Sequence, residues 1–323
     1  MELPLVSVII PAYNAGPFVD ATLRSLLVQT WKPLEIIVVN DGSTDDTGLI
    51  AASYKDQGVI TINQENRGQD AALNTGYGRS RGQYIKFMDA DDLLNPEMIE
   101  IQMNALAGLE EYVAYGEWAR FYNNQPERAD FTPLDYWKDA APLDFLTSRP
   151  ESVMLQCGVM LVPRKLVEAA GPWDERLILY NDTEFFNRVL LQSKGIRFTP
   201  GARLFYRSGI SNSISVGRSR NFFESTFLAT NLIAQQLLAK ENSLRVRRLI
   251  GNLYRDQYYR MYPHFPDLMR AHEEKIAEYP EGKIRPDGGP AFKYLSRILG
   301  WKGAKRLQLL FYKLGYKPQS IPA

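Results

Sequence analysis

Tyr84-Ile85-Lys86-Phe87-Met88-Asp89-Ala90-Asp91-Asp92 is a short apolar run that passes directly into three carboxylates. Such a run reads as a strand buried on both faces, with its polar exit at one end of a sheet. Upstream, three more strands are expected at Leu5 to Pro11, Glu35 to Asn40 and Val59 to Ile62. Helical patterns fill the gaps between them. Residues 17–29 place Phe18, Val19, Thr22, Leu23, Leu26 and Leu27 on one face. Asp45 or Asp46 can N-cap a helix running to about Gln57, and residues 69–80 form a helix of small residues. Downstream, Asn95-Pro96 predicts a further helix, with a cap and a proline at its first position.

The order is β-α-β-α-β-α-β, and short connections impose parallel strands with right-handed crossovers. Ligands of such sheets bind outside the carboxyl ends of the strands. Four exits carry polar residues there: Tyr13 with Asn14, Asp41, Asn66 with Arg67, and the Asp89 cluster. The expected fold is therefore an α/β sheet with one ligand crevice.

The rest of the chain alternates less clearly. Residues 111–162 mix aromatic-rich strands (Trp118, Phe121, Tyr122) with a proline-interrupted stretch, 126–150, expected to be loop or short helices. Met154 to Val162 reads as a strand, and Arg164 to Ala170 as a helix closed by Gly171-Pro172. Asp182 to Ser193 reads as a helix and Ile196 to Ser208 as one or two strands. From about residue 219 the pattern is helical, broken at 280–290. The expected division is 1–218, with halves of about 1–100 and 101–218, followed by a helical region over 219–323.

Bulk properties narrow the function classes. The chain has 323 residues, 45% hydrophobic and 23% charged, within the ordinary globular range. A formal net charge of +1 gives no reason to expect nucleic acid as a partner. One cysteine, Cys157, permits no internal disulfide and fits a reducing compartment. His264 and His272, the two histidines, lie in helix-like sequence far from the polar exits, as packing or surface residues would. Met1-Glu2-Leu3-Pro4 enters a strand without the pattern of a secretory signal, and no run reaches the roughly 18 to 20 apolar residues of a membrane span. The expected location is cytoplasmic.

Asp89, Asp91 and Asp92 repel one another unless something positive sits between them. Hard oxygen ligands of this kind suit Mg²⁺ or Mn²⁺, completed by water and substrate phosphates. A solvated acidic turn would read the same way in isolation; the position at a strand exit beside three others favours the metal. Asp41, in Asn40-Asp41-Gly42-Ser43-Thr44, is either an Asx-turn or an acceptor for a base N–H. Arg67 either offsets phosphate charge, orients its loop, or is an ordinary surface arginine.

Pro11-Ala12-Tyr13-Asn14, Val38-Val39-Asn40-Asp41-Gly42-Ser43-Thr44-Asp45, Asn66-Arg67-Gly68 and Asp89-Ala90-Asp91-Asp92 resemble, in order and spacing, the motifs of family 2 inverting glycosyltransferases with the GT-A fold. The resemblance runs through about the first 100 residues, resumes at about 156–210, and implies a Rossmann-like, mainly parallel central sheet flanked by helices. It implies that Pro11, Tyr13 and Asp41 hold a nucleotide base and ribose, with Asn14 and Arg67 at the same nucleotide site. It further implies that Asp89 contacts the nucleotide, and that Asp91, with Asp89, ligates a metal bridging the diphosphate. The family's acceptor motif is usually Glu-Asp at a helix start after Gly-x-x-Asp-Glu. Gly171-Pro172-Trp173-Asp174-Glu175 supplies the lead-in, and Asn181-Asp182 the helix start, so Asp182 is the implied base and Asn181 replaces the usual Glu. Asp182 would also serve simply as an N-cap.

The resemblance implies transfer from a nucleotide-diphosphate-sugar, a UDP-sugar foremost, to a hydroxyl of a carbohydrate, glycolipid or glycoprotein. Gly209 stands where the family often carries a histidine, while Arg207 and the serines at 211, 213 and 215 read either as phosphate ligands or as part of a flexible loop. Residues 291–323 hold seven basic residues (Lys293, Arg297, Lys302, Lys305, Arg306, Lys313, Lys317) and no acidic one. They read either as a helix packed on the protein or as a basic amphipathic helix on the inner face of a membrane. A sugar-phosphate nucleotidyltransferase would need a glycine-rich phosphate loop after the first strand, and residues 11–16 are not one. A non-catalytic nucleotide-sugar-binding or assembly partner in polysaccharide synthesis is the alternative that Asp41, Asp89, Asp91 and Asp182 together argue against.

Overall fold

Runs of Val and Ile with almost no polar interruption build the first strands, and the helices between them turn one apolar face to the sheet. In chain order these are β1 (Val6–Ala12), α1 (Gly16–Leu27), β2 (Leu34–Asp41), α2 (Thr47–Ser53), β3 (Val59–Gln64), α3 (Gln69–Arg79) and β4 (Tyr84–Phe87). Next come β5 (Leu93–Leu94), α4 (Met98–Ala105), β6 (Tyr112–Phe121), α5 (Pro142–Ser148), β7 (Met160–Pro163), α6 (Arg164–Ala170), α7 (Asn181–Gln192) and β8 (Gly195–Arg207). Four helices follow: α8 (Arg220–Lys240), α9 (Leu244–Met261), α10 (Pro266–Glu278) and α11 (Pro290–Lys313). The structure, a computed structural model, describes residues 3–148, 156–210, 219–286 and 288–315.

The strands form one sheet in the order β3-β2-β1-β4-β7-β6-β8-β5. β1 pairs in parallel with β2 and β4, and β2 with β3, as the alternation predicts. β7 runs antiparallel between β4 and β6, β6 and β8 are parallel, and β5 lies antiparallel on β8. Val6, Val8, Ile9 and Ile10 of β1 are fully buried, the expected state of a strand covered on both faces. The close approach of α3 depends on Gly76, where a Cβ would stand 2.5 Å from Ile9 Cγ2. One hydrophobic core includes the sheet and residues of α8 and α9 such as Leu237 and Ile250.

Several boundaries differ from expectation. Asn95 caps no helix: α4 begins three residues later, and the Asn95 amide instead holds β8 through Arg203 N–H (2.8 Å) and the Gly201 carbonyl (3.0 Å). The strand expected over 154–162 is confined to β7, preceded by a 3₁₀ turn at Cys157–Val159; its beginning lies outside the described residues. The 196–208 region is one strand whose register against β6 shifts after Gly116. The tail has further breaks at 241–243 and at 262–265, where Pro263 cannot continue a helix, and a kink at Gly300. α7 starts at Asn181, so Asp182 is its second residue and Tyr180, in the left-handed region (φ 62°), is the cap. Among the described residues no helix is long and apolar enough to cross a membrane.

An aromatic wedge fixes α7 against the first half of the sheet. Trp173 stacks on Phe185 at 4.0 Å and 9°, and Phe87 of β4 meets both rings edge-on at 5.2 and 5.4 Å. Phe185 is completely buried. Phe185→Ala is expected to cost about 3–5 kcal/mol in urea unfolding; a loss under about 1 kcal/mol would show that the wedge is not what seats α7.

Candidate active site

The polar exits anticipated from the sequence meet in one cavity of about 990 Å³. β1 delivers Pro11, Tyr13 and Asn14 to its wall; Asp41, Asp89, Asp91 and Asp182 join them there. Asn14 adopts φ 49°, a region that asparagine tolerates, and its side chain accepts the Thr44 N–H at 2.9 Å. The first two exits are tied together in this way. Gly42 (φ 71°) ties the second to the third, since a Cβ there would stand 2.7 Å from the Asn66 nitrogen.

Asp41 is almost fully buried and accepts three hydrogen bonds, from Gln64 Nε2 (2.7 Å), Arg67 N–H (2.9 Å) and Gly68 N–H (2.8 Å). These fill three of roughly four acceptor positions on a carboxylate, so Asp41 organises the 65–68 loop and has room for one more donor. Arg67 departs from its expected place. Its guanidinium pairs with Glu175 at 2.9 Å on the surface and is not part of the cavity wall, so it orients the loop rather than reaching a phosphate. Asn74 reinforces the same junction, accepting Trp173 N–H at 2.9 Å and donating to the Trp173 carbonyl at 3.0 Å.

At the end of β4, one oxygen each of Asp89, Asp91 and Asp92 lies within 4.8 Å of the others. Burial, then the charges of Asp91 and Asp182, push the Asp89 carboxyl up to about 7; Gln69 and the Cys157 thiol donate to it. Burial also raises Asp91, with the Arg207 guanidinium pulling it back. Asp92 is held well above the usual range by burial, Asp91 and Asp89; its Oδ1 accepts Arg207 N–H at 2.9 Å, and its buried Oδ2 has no partner. An orphaned buried oxygen beside two mutually repelling carboxylates is a donor set that fits a hard divalent cation. Arg207, a candidate phosphate ligand by sequence, instead props this turn, donating to the Asp91 carbonyl at 2.7 Å. The serines at 211, 213 and 215 lie outside the described residues.

Asp182 accepts the Thr183 N–H at 2.7 Å within the first turn of α7. Its neighbour Asn181 donates to Asp70 Oδ1 at 2.5 Å. Asp70 is only 2% exposed, its Oδ2 has no hydrogen-bond partner, and burial, followed by the charges of Asp182, Asp174 and Glu184, pushes it up to about 7. In sequence Asp70 looks like an ordinary first-turn helix acid, and only the packing of α3 on α7 reveals it. Arg120 was equally unmarked: the β6 register brings it into the cavity wall, over Tyr206 at 5.1 Å. His272 is a buried packing residue, hydrogen-bonded to the Leu268 carbonyl and Gln257.

Residues 7–170 match the family model described as glycosyl transferase family 2. The chain belongs to that family. Among its relatives, Uncharacterized glycosyltransferase RT0329 of Rickettsia typhi is 35% identical over 190 residues, covering 58% of this chain and 59% of that protein. Uncharacterized glycosyltransferase EpsJ of Bacillus subtilis is 39% identical over 138 residues, 41% of this chain and 38% of that one. The match thus spans less than two thirds of either relative's length. Among solved structures, S. aureus TarS 1-349 in complex with UDP-GlcNAc superposes with a TM-score of 0.69 at 17% identity, over 97% of this chain and 93% of that chain. The same fragment with UDP gives 0.62 at 16%, over the same shares. At that identity the likeness concerns the fold: a GT-A sheet flanked by helices, followed by C-terminal helices.

The acid cluster has a consequence for stability. An ordinary aspartate loses its proton near 3.9, whereas Asp89 keeps its own to about 7. Between those values the folded chain binds more protons than the unfolded one, so stability drains away as pH rises through 7. Without metal, Asp89→Asn should therefore gain on the unsubstituted protein between pH 5 and 8 by at least about 1 kcal/mol in urea unfolding. Parallel pH profiles would refute this.

Proposed function

We propose that the chain is an inverting glycosyltransferase that moves a sugar from a nucleotide-diphosphate-sugar to an acceptor hydroxyl. The observation that carries the reading is the meeting of Tyr13, Asn14, Asp41, Asp89, Asp91 and Asp182 in a single cavity of about 990 Å³. A UDP-sugar is the first candidate donor, supported by a shared fold with a protein crystallised with UDP-GlcNAc and with UDP. In this reading Pro11, Tyr13 and the remaining acceptor capacity of Asp41 hold the base and ribose, with Asn14 shaping their loop. Asp91 and Asp89 hold Mn²⁺ or Mg²⁺, which when bound offsets negative charge on the nucleoside diphosphate. Arg120, a cavity-wall cation that Arg67 is not, is available to that diphosphate.

Asp182 is the proposed base. Its carboxylate takes the proton of the acceptor hydroxyl as that oxygen bonds to the anomeric carbon and the bond to the diphosphate breaks. One displacement inverts the anomeric centre. The Asn181–Asp70 hydrogen bond seats the first turn of α7 and so sets where Asp182 points. Asn181 thereby supplies, as a donor to a buried carboxylate, a contact that the family's usual Glu could not make to a charged Asp70.

A screen of UDP, GDP, dTDP and CMP with and without Mn²⁺ should give metal-dependent thermal stabilisation by one nucleotide, UDP first. Asp91→Ala should abolish the metal-dependent part. Asp182→Asn should leave nucleotide binding intact and lower sugar transfer by about 10²–10⁴-fold. Full turnover by Asp182→Asn would exclude it as the base.

The proposed location is the cytoplasmic face of a membrane, held peripherally through α11. Five of its apolar side chains, Tyr294, Ile298, Leu299, Leu310 and Phe311, and that of Leu314 just after it are exposed. Lys293, Arg297, Lys302, Lys305, Arg306 and Lys313 accompany them, with no acidic residue over 290–313. Apolar and basic side chains together suit an anionic lipid surface. The protein should co-sediment with vesicles containing phosphatidylserine and not with neutral ones, and Lys293→Glu with Arg297→Glu should weaken that binding severalfold; unchanged sedimentation would dispose of it.

A further inference from the structure

The cavity does not end at Asp182. The part of its wall supplied by α5, α8 and α9, with Leu146, Phe222, Phe223, Ile233, Leu249 and Leu253, forms an apolar inner lobe. Its total of about 990 Å³ lies at the upper limit of ordinary ligand pockets, so a donor need not fill it.

Most polar groups of this lobe are already engaged with the protein. Thr226 Oγ1 donates to the Phe223 carbonyl at 3.0 Å. Gln257 Nε2 donates to Thr226 O and Thr230 Oγ1, and its Oε1 faces His272 at 3.1 Å. Arg260, at the exposed rim, pairs through Nε with Asp256 at 2.7 Å and is the residue there with N–H groups to spare. A sugar chain placed here would exchange water for few hydrogen bonds, which is costly, whereas a hydrocarbon chain would gain from leaving water.

A second observation concerns where the lobe sits. Helix α9 lines it with Leu249 and Leu253, and one to three turns further on uses Tyr258 and Tyr259, followed by Tyr262, to grip Trp301 of α11. The same helix therefore connects the apolar lobe to the basic helix with exposed apolar side chains.

We propose that the inner lobe receives the hydrocarbon chain of an amphiphilic acceptor, whose hydroxyl-bearing head then faces Asp182. This inference rests on the donor reading of the same cavity and names its acceptor class: a lipid-borne hydroxyl rather than a free saccharide. The apolar wall binds the chain, the shortage of spare hydrogen-bonding groups rejects a polar one, and α11 brings the protein to the surface where such molecules reside.

The test uses the full chain with hexyl, octyl and decyl β-maltoside below their micellar concentrations, and maltose as the chainless control, with UDP and Mn²⁺ binding followed in parallel. Affinity should rise about fourfold per added methylene, the gain expected from burying each one, and maltose should show none. Phe222→Gln with Leu249→Gln, both at half-buried positions, should weaken decyl maltoside at least tenfold, the persisting UDP–Mn²⁺ shift reporting a folded protein. Leu249→Trp, which keeps the wall apolar but fills it, should shorten the longest chain that still gains. Affinity independent of chain length, or decyl binding unchanged in both variants, would overturn the proposal. Chain-dependent binding without any nucleotide response would uphold the lobe and sink the donor reading instead.

Discussion

The constraint on which the rest of the structure turns is the repulsion among Asp89, Asp91 and Asp92, gathered with oxygens within 4.8 Å of one another. Left to itself, a turn carrying three charges would open toward water. It is held from two sides. From α1, the Thr22 hydroxyl lies 2.9 Å from the carbonyls of both Ala90 and Asp92, sharing its one proton between them. From β8, Arg207 donates its N–H to Asp92 and its guanidinium to the Asp91 carbonyl. β5 then pairs Leu93 and Leu94 with Phe205 and Leu204, locking the residues just after the turn onto the same strand. A chain that folds its backbone so firmly around acids that repel one another when ionised keeps them close at the cost of stability once they lose their protons, and a bound cation would return it.

Every other part of the site comes to this turn from far away in sequence. Cys157 arrives just before β7, Arg207 at the end of β8, and Asp182 on α7. The antiparallel insertion of β7 between β4 and β6 makes this possible, because it lets β6 and β8 run alongside β4 and end at the same crevice. The Trp173–Phe185 stack then fixes α7 on β4, and the Asn181–Asp70 hydrogen bond fixes its first turn on α3. An aromatic stack and a buried polar pair thus seat α7 on the first half of the sheet, beside the Asn74–Trp173 hydrogen bonds and the Arg67–Glu175 ion pair.

Local chemistry made the first half of the fold legible. β-branched runs, small-residue helices and polar exits place β1 to β4 within a residue or two, and put Tyr13, Asn14, Asp41 and Asp89 in a common crevice. What escaped depended on contacts across long separations. Arg67 reads as a phosphate ligand until Glu175, 108 residues away, is seen beside it. Asn95-Pro96 has the pattern of a helix start, yet the pairing of β5 with β8 recruits the Asn95 amide and delays α4. Asp70 and Arg120 carry no sequence signal, since what distinguishes them is packing of α3 on α7 and the register of β6 on β8. The apolar inner lobe was invisible for the same reason: its wall comes from three helices whose mutual placement no local pattern encodes.

In the proposed reading the acid turn holds a metal against a nucleoside diphosphate. Crystals grown with Mn²⁺ and UDP, with anomalous scattering recorded at the manganese edge, test it most directly. The expected result is one anomalous peak bonded to a carboxylate oxygen of Asp91, with the diphosphate beside it and the base in the crevice near Tyr13 and Asp41. A nucleotide seated there with no peak near residues 89–92, or a peak elsewhere in the molecule, would contradict it.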